Sequence, residues 1–203
     1  MATTAAPYGL RPIRRSDGMS YAGSTNQYLI DPAGEGTNLF YGQAVIIGAD
    51  GFIALATGTG ADLTSNSISG TSGVGAIGVF VGCEYVNSSG QLIQDQHYPS
   101  GTANGGAIKA YVIDDPNVLF QAQLDGTGAQ TIIGTNTFFA AAQSTSTGST
   151  STGNSTSALD ATVQTAAAAF RIVSHVSDPS DAFPDVLVKF NPGAHQMTNN
   201  VGL

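Results

Sequence analysis

The sequence predicts an all-β fold, a sandwich or barrel with an extended N-terminal arm and little helix. Short runs of residues alternate between apolar and polar with a period of two, which is typical of strands with one buried face. Clusters of Gly, Pro, Asn and Asp separate these runs and supply the turns between strands. We therefore expect a jelly-roll-like or β-tulip-like domain, and 203 residues are enough to bury a core of that kind.

Seven segments carry the strand pattern: 43–47, 52–56, 79–86, 107–113, 118–124, 170–176 and 186–190. Alternation also assigns their faces. In segment 118–124 it directs Gln121 and Gln123 to water, opposite four apolar residues. One face is shared in each of two further segments by Val79, Val81, Cys83 and Tyr85, and by Phe170, Ile172, Ser174 and Val176.

The rest of the chain shows weaker patterns. Residues 160–169 are rich in Ala and follow a possible cap, so we expect a turn or two of helix there. Residues 143–157 consist almost entirely of Ser, Thr, Gly and Asn, which predicts a solvated loop. We divide the chain into an extended arm, residues 1–27, and one β-rich domain, residues 28–203.

The distribution of charge points to a docking arm. The chain has a net charge of −8 and six Lys and Arg residues, and three of these six are arginines within residues 11–15. A broad nucleic-acid or anionic-membrane surface is therefore not expected. Prolines in the arm oppose helix, and its apolar side chains could fill pockets on a partner. The predicted docking residues are Pro7, Tyr8, Leu10, Arg11, Pro12, Ile13, Arg14 and Arg15.

No residue pattern predicts an enzyme, a metal site or a cofactor. Residues 73–78 match G-x-G-x-x-G, but a β-patterned run follows them where a nucleotide-binding motif needs a helix. The acidic pair Asp114 and Asp115 precedes Pro116 and reads as a turn. The three histidines, His97, His175 and His195, are far apart in the sequence. Asp178, Asp181 and Asp185 could gather around a hard cation such as calcium, but the prolines between them favour an ordinary acidic loop.

The single cysteine, Cys83, excludes an intrachain disulfide and is expected to be a buried apolar residue. No apolar run approaches the length of a membrane span, so no membrane partner is expected.

Four segments together resemble a family of small β-rich decoration, or cement, proteins of tailed bacteriophage capsids. They are AAPYGLRPIRRSDG at 5–18, YVIDDPNVLFQAQLDG at 111–126, IIGTNTFFAAAQ at 132–143 and RIVSHVSDPSDAFPDVLVKFN at 171–191. The resemblance extends over most of the chain, and its motifs are turns and strands.

The resemblance implies a structural virion protein that is made in the host cytoplasm and lies on the outer capsid surface. Such proteins form homotrimers or other small homo-oligomers and clamp neighbouring major capsid proteins. An acidic body agrees with an outside location, away from packaged DNA. The alternative is a phage tail or fibre protein that binds a receptor or a glycan. Exposed aromatic clusters would favour that alternative, and the chain has no Trp.

Overall fold

A computed structural model of the chain describes residues 4–32, 38–60, 75–101, 106–144 and 147–198. Regular structure there is almost entirely strand, which confirms the predicted all-β class. The helical elements in these ranges are two single 3₁₀ turns, Gln130–Ile132 and Pro192–Ala194. The strands are β1 (Arg11–Arg15), β2 (Asn26–Ile30), β3 (Leu39–Phe40), β4 (Ala44–Ile47), β5 (Ile53–Leu55), β6 (Gly78–Val86), β7 (Leu92–Asp95), β8 (His97–Tyr98), β9 (Ile108–Ile113), β10 (Val118–Gln123), β11 (Asn136–Thr137), β12 (Phe170–His175) and β13 (Asp185–Phe190).

The strands form two antiparallel sheets packed as a sandwich. The first sheet has the order β1-β10-β13-β12-β11, and the second has the order β2-β9-β6-β4-β5 with β7 also paired to β6. Strands β3 and β8 form a separate two-stranded ribbon. One core cluster joins the facing sides of the two sheets and includes Phe120, Ile172 and Val188 from the first sheet and Ala44 and Val79 from the second. Alternation in these strands directs every second side chain into this shared interior.

A β-bulge in β6 divides its side chains between two cores, which corrects the predicted face. The register with β9 shifts between Phe80 and Gly82. Val79 therefore packs in the cluster between the sheets, whereas Phe80, Cys83 and Tyr85 pack in a second cluster on the opposite side of this sheet. An extra residue at a bulge reverses the alternation beyond it. Burial of Cys83, predicted from the sequence, is confirmed.

One other facing assignment is wrong, and one residue on the predicted outer face, Gln123, is buried. The register between β12 and β13 shifts between Ile172 and Ser174, and Val176 beyond the shift is 49% exposed. Gln123 is buried because the N-terminal segment covers it. Its side-chain oxygen accepts a hydrogen bond from the Ala6 amide at 2.7 Å. Gln123 was expected to bond to water, but its side-chain oxygen bonds to the Ala6 backbone amide of the same chain.

The Ser/Thr-rich segment 143–157 is not a solvated loop in its described part. Gln143 is buried and its side-chain amide bonds to backbone groups of Ala44 and Ala56. A Cβ atom on Gly148 would lie within 3 Å of the Phe40 ring, so this segment packs closely on β3. Small polar side chains therefore enter the fold by hydrogen bonding, which composition alone does not reveal. Ser155 and Ser157 are buried as well.

The helix expected at 160–169 is absent. Backbone groups of this segment bond to other parts of the chain, since Gln164 and Asn136 exchange two amide hydrogen bonds of 2.9 Å. The Asp160 carboxylate accepts the Thr162 amide at 2.6 Å in a local turn. Asp160 thus stabilises a turn where it was expected to cap a helix, a competition that is common for Asp.

Candidate docking surface

Residues 10–15, within the expected extended arm at 1–27, pack against the β-rich domain. Strand β1 pairs antiparallel with β10 and forms the edge of the first sheet. Leu10 is fully buried in the core between the sheets, so it cannot contact a partner while the protein is folded. Alternating polarity does not mark β1, because two of its five residues break the pattern of a half-buried strand: Pro12 and the half-exposed Ile13.

A bulge in β1 places Arg11 and Arg14 on the same face of the first sheet. The register pairs Arg11 with Gln121 and Arg14 with Leu119, and it shifts at Ile13. Directly opposed residues of antiparallel strands project to one side of a sheet. Regular alternation would instead direct Arg11 and Arg14 to opposite faces, since three positions separate them. The bulge thus brings both guanidinium groups to the outer, solvent side.

Two more cations lie on this outer face, although they are distant in sequence from the arginines of β1. Arg171 of β12 lies directly opposite Lys189 of β13. Their neighbours Ile172 and Val188 are fully buried in the core, so Arg171 and Lys189 project outward. Four strands at a spacing of about 4.8 Å carry this surface, and its width from β1 to β12 is therefore roughly 14 Å. Leu119 of β10 lies between the two pairs of cations.

We call Arg11, Arg14, Arg171 and Lys189 the cationic face. None of the four forms an ion pair with any residue in the described ranges. The chain has six cations in total, and the other two are both paired. Arg15 contacts Asp115 at 2.5 Å and Asp17 at 3.1 Å, and Lys109 contacts Glu84 at 3.0 Å. Within the described ranges, every Lys or Arg side chain that forms no ion pair therefore lies on the outer side of the first sheet.

Hydrogen bonds from neutral groups hold a carboxylate on the same sheet. The Tyr8 hydroxyl donates to one oxygen of Asp185 at 2.9 Å, and the Gln121 amide donates to the other at 3.0 Å. Burial, followed by the negative charge of Asp185, raises the pKa of Tyr8 well above its ordinary value. Tyr8 is thus fixed to β13 as a neutral phenol. Tyr8 is half-buried, so a partner can contact the exposed part of its ring. The side chain does not project freely from the surface, in contrast to the expectation from the sequence.

The predicted docking residues therefore separate into three groups. Arg11 and Arg14 lie on the cationic face, and Ile13 is 43% exposed beside them. Arg15 faces Asp115, and Leu10 is in the core. The three others, Pro7, Tyr8 and Pro12, are half-buried. Sequence reasoning missed Arg171 and Lys189 as members of this surface. The available signal was that both project away from the apolar face of their strands.

The acidic candidates have structural partners. Asp114 accepts hydrogen bonds from Asn26 at 2.7 Å and from Tyr28 at 2.6 Å, which ties β2 to the end of β9. Asp178 accepts the backbone amide and the hydroxyl of Ser180 at 2.9 and 2.7 Å. Within the described ranges no three His, Cys, Asp or Glu side chains are grouped closely enough to hold a metal ion.

The glycine pattern at 73–78 leads into strand β6 rather than a helix. Its first two residues lie outside the described part of the chain. A Cβ atom on Gly75 would lie 2.5 Å from the carbonyl of Ala194, so this glycine permits close contact with the C-terminal segment. His195 is in that segment and is buried against the edge of the Phe190 ring. These residues pack the two segments together.

Comparisons with protein-family models, with curated proteins and with solved structures found no match to this chain. Within the described residues, no helix has the length and apolar character that a membrane span requires.

Proposed function

We propose that the protein is a structural virion protein that decorates and stabilises the outer surface of a tailed-phage capsid. In this proposal it is a homotrimer or other small homo-oligomer that clamps neighbouring major capsid proteins, and the cationic face contacts the capsid. The observation that carries the proposal is the grouping, on one sheet of a chain with net charge −8, of four cations that form no ion pair with any described residue. The resemblance of the four sequence segments to capsid decoration proteins supports the same function.

The cationic face suits a partner surface rich in Asp and Glu. Charge complementarity selects such a surface and speeds the encounter. Each exposed ion pair contributes only about 0–1 kcal/mol, so one copy of the face supports weak binding. A capsid lattice repeats the same site many times, and an oligomer that contacts several subunits binds much more tightly than one copy. The proposal therefore combines a modest contact with multivalency.

Binding to capsids tests the proposal. The assay is co-sedimentation with tailed-phage heads that lack this protein, at low and at physiological salt. Replacing Lys189 by Gln removes one charge from the cationic face, and replacing Lys109 by Gln removes the same charge from the second sheet. We expect Lys189→Gln to weaken binding by up to about fivefold for each ion pair that it removes, because an exposed ion pair is worth up to about 1 kcal/mol. The effect should be larger at low salt, because salt screens exposed charges.

The control separates a specific face from general charge. Equal binding by the Lys189→Gln variant and the wild type, or equal loss in Lys189→Gln and Lys109→Gln, would contradict the proposed docking surface. Labelling the protein in intact virions by electron microscopy separates the two virion locations. Label on the head supports decoration, and label confined to the tail or fibres supports the alternative receptor-binding function.

A further inference from the structure

A pocket of about 480 Å³ lies beside the cationic face, at the edge formed by β1. Its lining comes from four separate parts of the chain. The N-terminal segment contributes Tyr8 and Arg11, and Tyr41 follows β3. Gln96 lies between β7 and β8, and Asn154 belongs to the Ser/Thr-rich segment. The volume is in the range of pockets that hold a small ligand or an inserted side chain.

Close backbone contacts build the walls of this pocket. Gly9 and Gly42 have φ angles of +77° and +88°, a conformation that favours glycine. A Cβ atom on Gly9 would lie 2.6 Å from the Gly42 carbonyl oxygen, so a larger residue would separate the two segments. The Leu10 amide donates to that same oxygen at 2.9 Å. These contacts fix the N-terminal segment against the turn that carries Tyr41.

Backbone bonds also attach the Ser/Thr-rich segment to this turn. The Tyr41 amide donates to the carbonyl of Gly153 at 2.9 Å, and the Ser155 amide donates to the carbonyl of Tyr41 at 2.8 Å. Asn154 lies between these two bonds and forms an isolated bridge with Tyr41. Its position is therefore set by the fold, although its segment has the composition of a flexible loop.

Among the described residues, the lining offers hydrogen-bond donors and a positive charge, and none of its side chains is a carboxylate. The Tyr8 hydroxyl already donates to Asp185 at 2.9 Å, so the donors available to a ligand are on other residues. In the described part of the chain, the Arg11 guanidinium, the Tyr41 hydroxyl and the Asn154 side-chain amide have no hydrogen-bond partner. All three residues line this one pocket. An anion in the pocket could thus accept bonds from several donors at the same time.

We propose that this pocket binds the carboxylate of an Asp or Glu side chain on the protein partner of the cationic face. A planar guanidinium binds a carboxylate through two parallel hydrogen bonds, and the Tyr41 hydroxyl and the Asn154 amide supply further donors. Arg11 belongs to both the pocket and the cationic face, so a partner that covers the face also covers the pocket opening. This inference rests on the proposed function, because it assigns a specific contact within that docking surface.

Nuclear magnetic resonance with small probes tests the pocket without the partner. The probes are N-acetylglutamate amide, its neutral counterpart N-acetylglutamine amide, and glucuronate as an acidic sugar. We expect the glutamate derivative to shift the side-chain signals of Arg11 and Asn154, and the glutamine derivative to leave them unchanged. Replacing Tyr41 by Phe or Asn154 by Ala should weaken binding of the glutamate derivative about fivefold, since each removes one hydrogen bond worth roughly 1 kcal/mol.

Tyr111→Phe is the matched control, because it removes a phenol hydroxyl that bonds to Glu84 on the second sheet. This variant should bind the glutamate derivative as the wild type does. Equal shifts with the glutamine derivative would overturn the carboxylate site. Tighter binding of glucuronate than of the glutamate derivative would overturn the protein source and identify a saccharide site.

Capsid binding by the same variants separates this inference from the proposed function. Capsid binding that is weakened by Tyr41→Phe, together with probe binding, supports both. Probe binding by a protein that does not bind capsids retains the carboxylate site and contradicts the decoration function. In a third outcome, Tyr41→Phe and Asn154→Ala leave capsid binding unchanged and the wild type does not bind the glutamate derivative. This result contradicts the carboxylate pocket and retains the decoration function.

Discussion

Replacing Gln143 by Leu should destabilise the protein strongly, although Gln143 begins a segment with the composition of a solvated loop. The Gln143 side-chain oxygen accepts the Ala44 amide at 3.0 Å, and its nitrogen donates to the Ala56 carbonyl at 2.9 Å. Gln143, Ala44 and Ala56 are all buried, so water does not replace these bonds. Leu has a similar volume, and the substitution therefore reports hydrogen bonding more than packing.

The expected magnitude follows from the two backbone groups that lose their partners. Each buried and unsatisfied group costs about 1–3 kcal/mol, which gives about 2–6 kcal/mol for the pair. The Ala44 carbonyl does not add to this sum, because it also accepts the Ala56 amide at 3.1 Å. The free energy of unfolding of a domain is about 5–15 kcal/mol, so the loss is a large part of the total. Tm should fall by roughly 5–20 °C.

Urea unfolding followed by circular dichroism measures this change. The control is Gln27→Leu, which makes the same substitution at an exposed position of β2 and should change the free energy of unfolding by less than about 0.5 kcal/mol. If Gln143→Leu also costs less than about 0.5 kcal/mol, the Ser/Thr-rich segment does not hold β4 and β5 as described. The original expectation of a solvated loop would then be correct.

Two further predictions concern buried titratable groups. Burial lowers the pKa of His195 from 6.5 to about 4, so the folded state favours the neutral imidazole. The contribution of neutral His195 to the free energy of unfolding is complete above pH 6.5 and is lost as the pH falls towards 4. From pH 7 to pH 4.5, the free energy of unfolding should therefore fall by about 2–3 kcal/mol more in the wild type than in His195→Asn. Equal decreases in the two proteins would show that His195 does not titrate in this way. Burial, followed by the charge of Asp95, raises the pKa of the Cys83 thiol to about 12, and Cys83 is 1% exposed. A chromogenic thiol reagent at pH 8 should therefore react with unfolded but not with native protein, and equal rates in the two states would contradict burial of the thiol.

The sequence predicts the long strands of both sheets because their alternation is strong. It cannot locate the bulges in β1, β6 and β12, where one extra residue exchanges the two faces. The two-residue strands β3, β8 and β11 are too short to show a period. The Asn136 side chain shows a related limit, since it donates to the carbonyl of Ala166 and accepts from Asn191. Such polar contacts between distant segments carry no periodic signal.

The candidate docking surface was predictable in part for the same reason. Clustered arginines at 11–15 are visible in the sequence, and so is the outward direction of Arg171 and Lys189 in their strands. Their common location is not visible, because it depends on β1 joining the sheet that contains β12 and β13. The sequence also does not show that Arg15 is paired with Asp115 while Arg14 is free of ion pairs in the described residues.

The position of β1 at the edge of the first sheet has a consequence for the order in which a newly made chain can fold. Residues 11–15 are made before their partner β10, which spans Val118–Gln123 and follows more than a hundred residues later in the chain. The second sheet is built from β2, β4, β5, β6, β7 and β9 alone, so it can pair while synthesis continues. The first sheet must wait for β13 at Asp185–Phe190. The cationic face therefore forms only after β12 and β13 have been made, although Arg11 and Arg14 precede those strands by more than 150 residues.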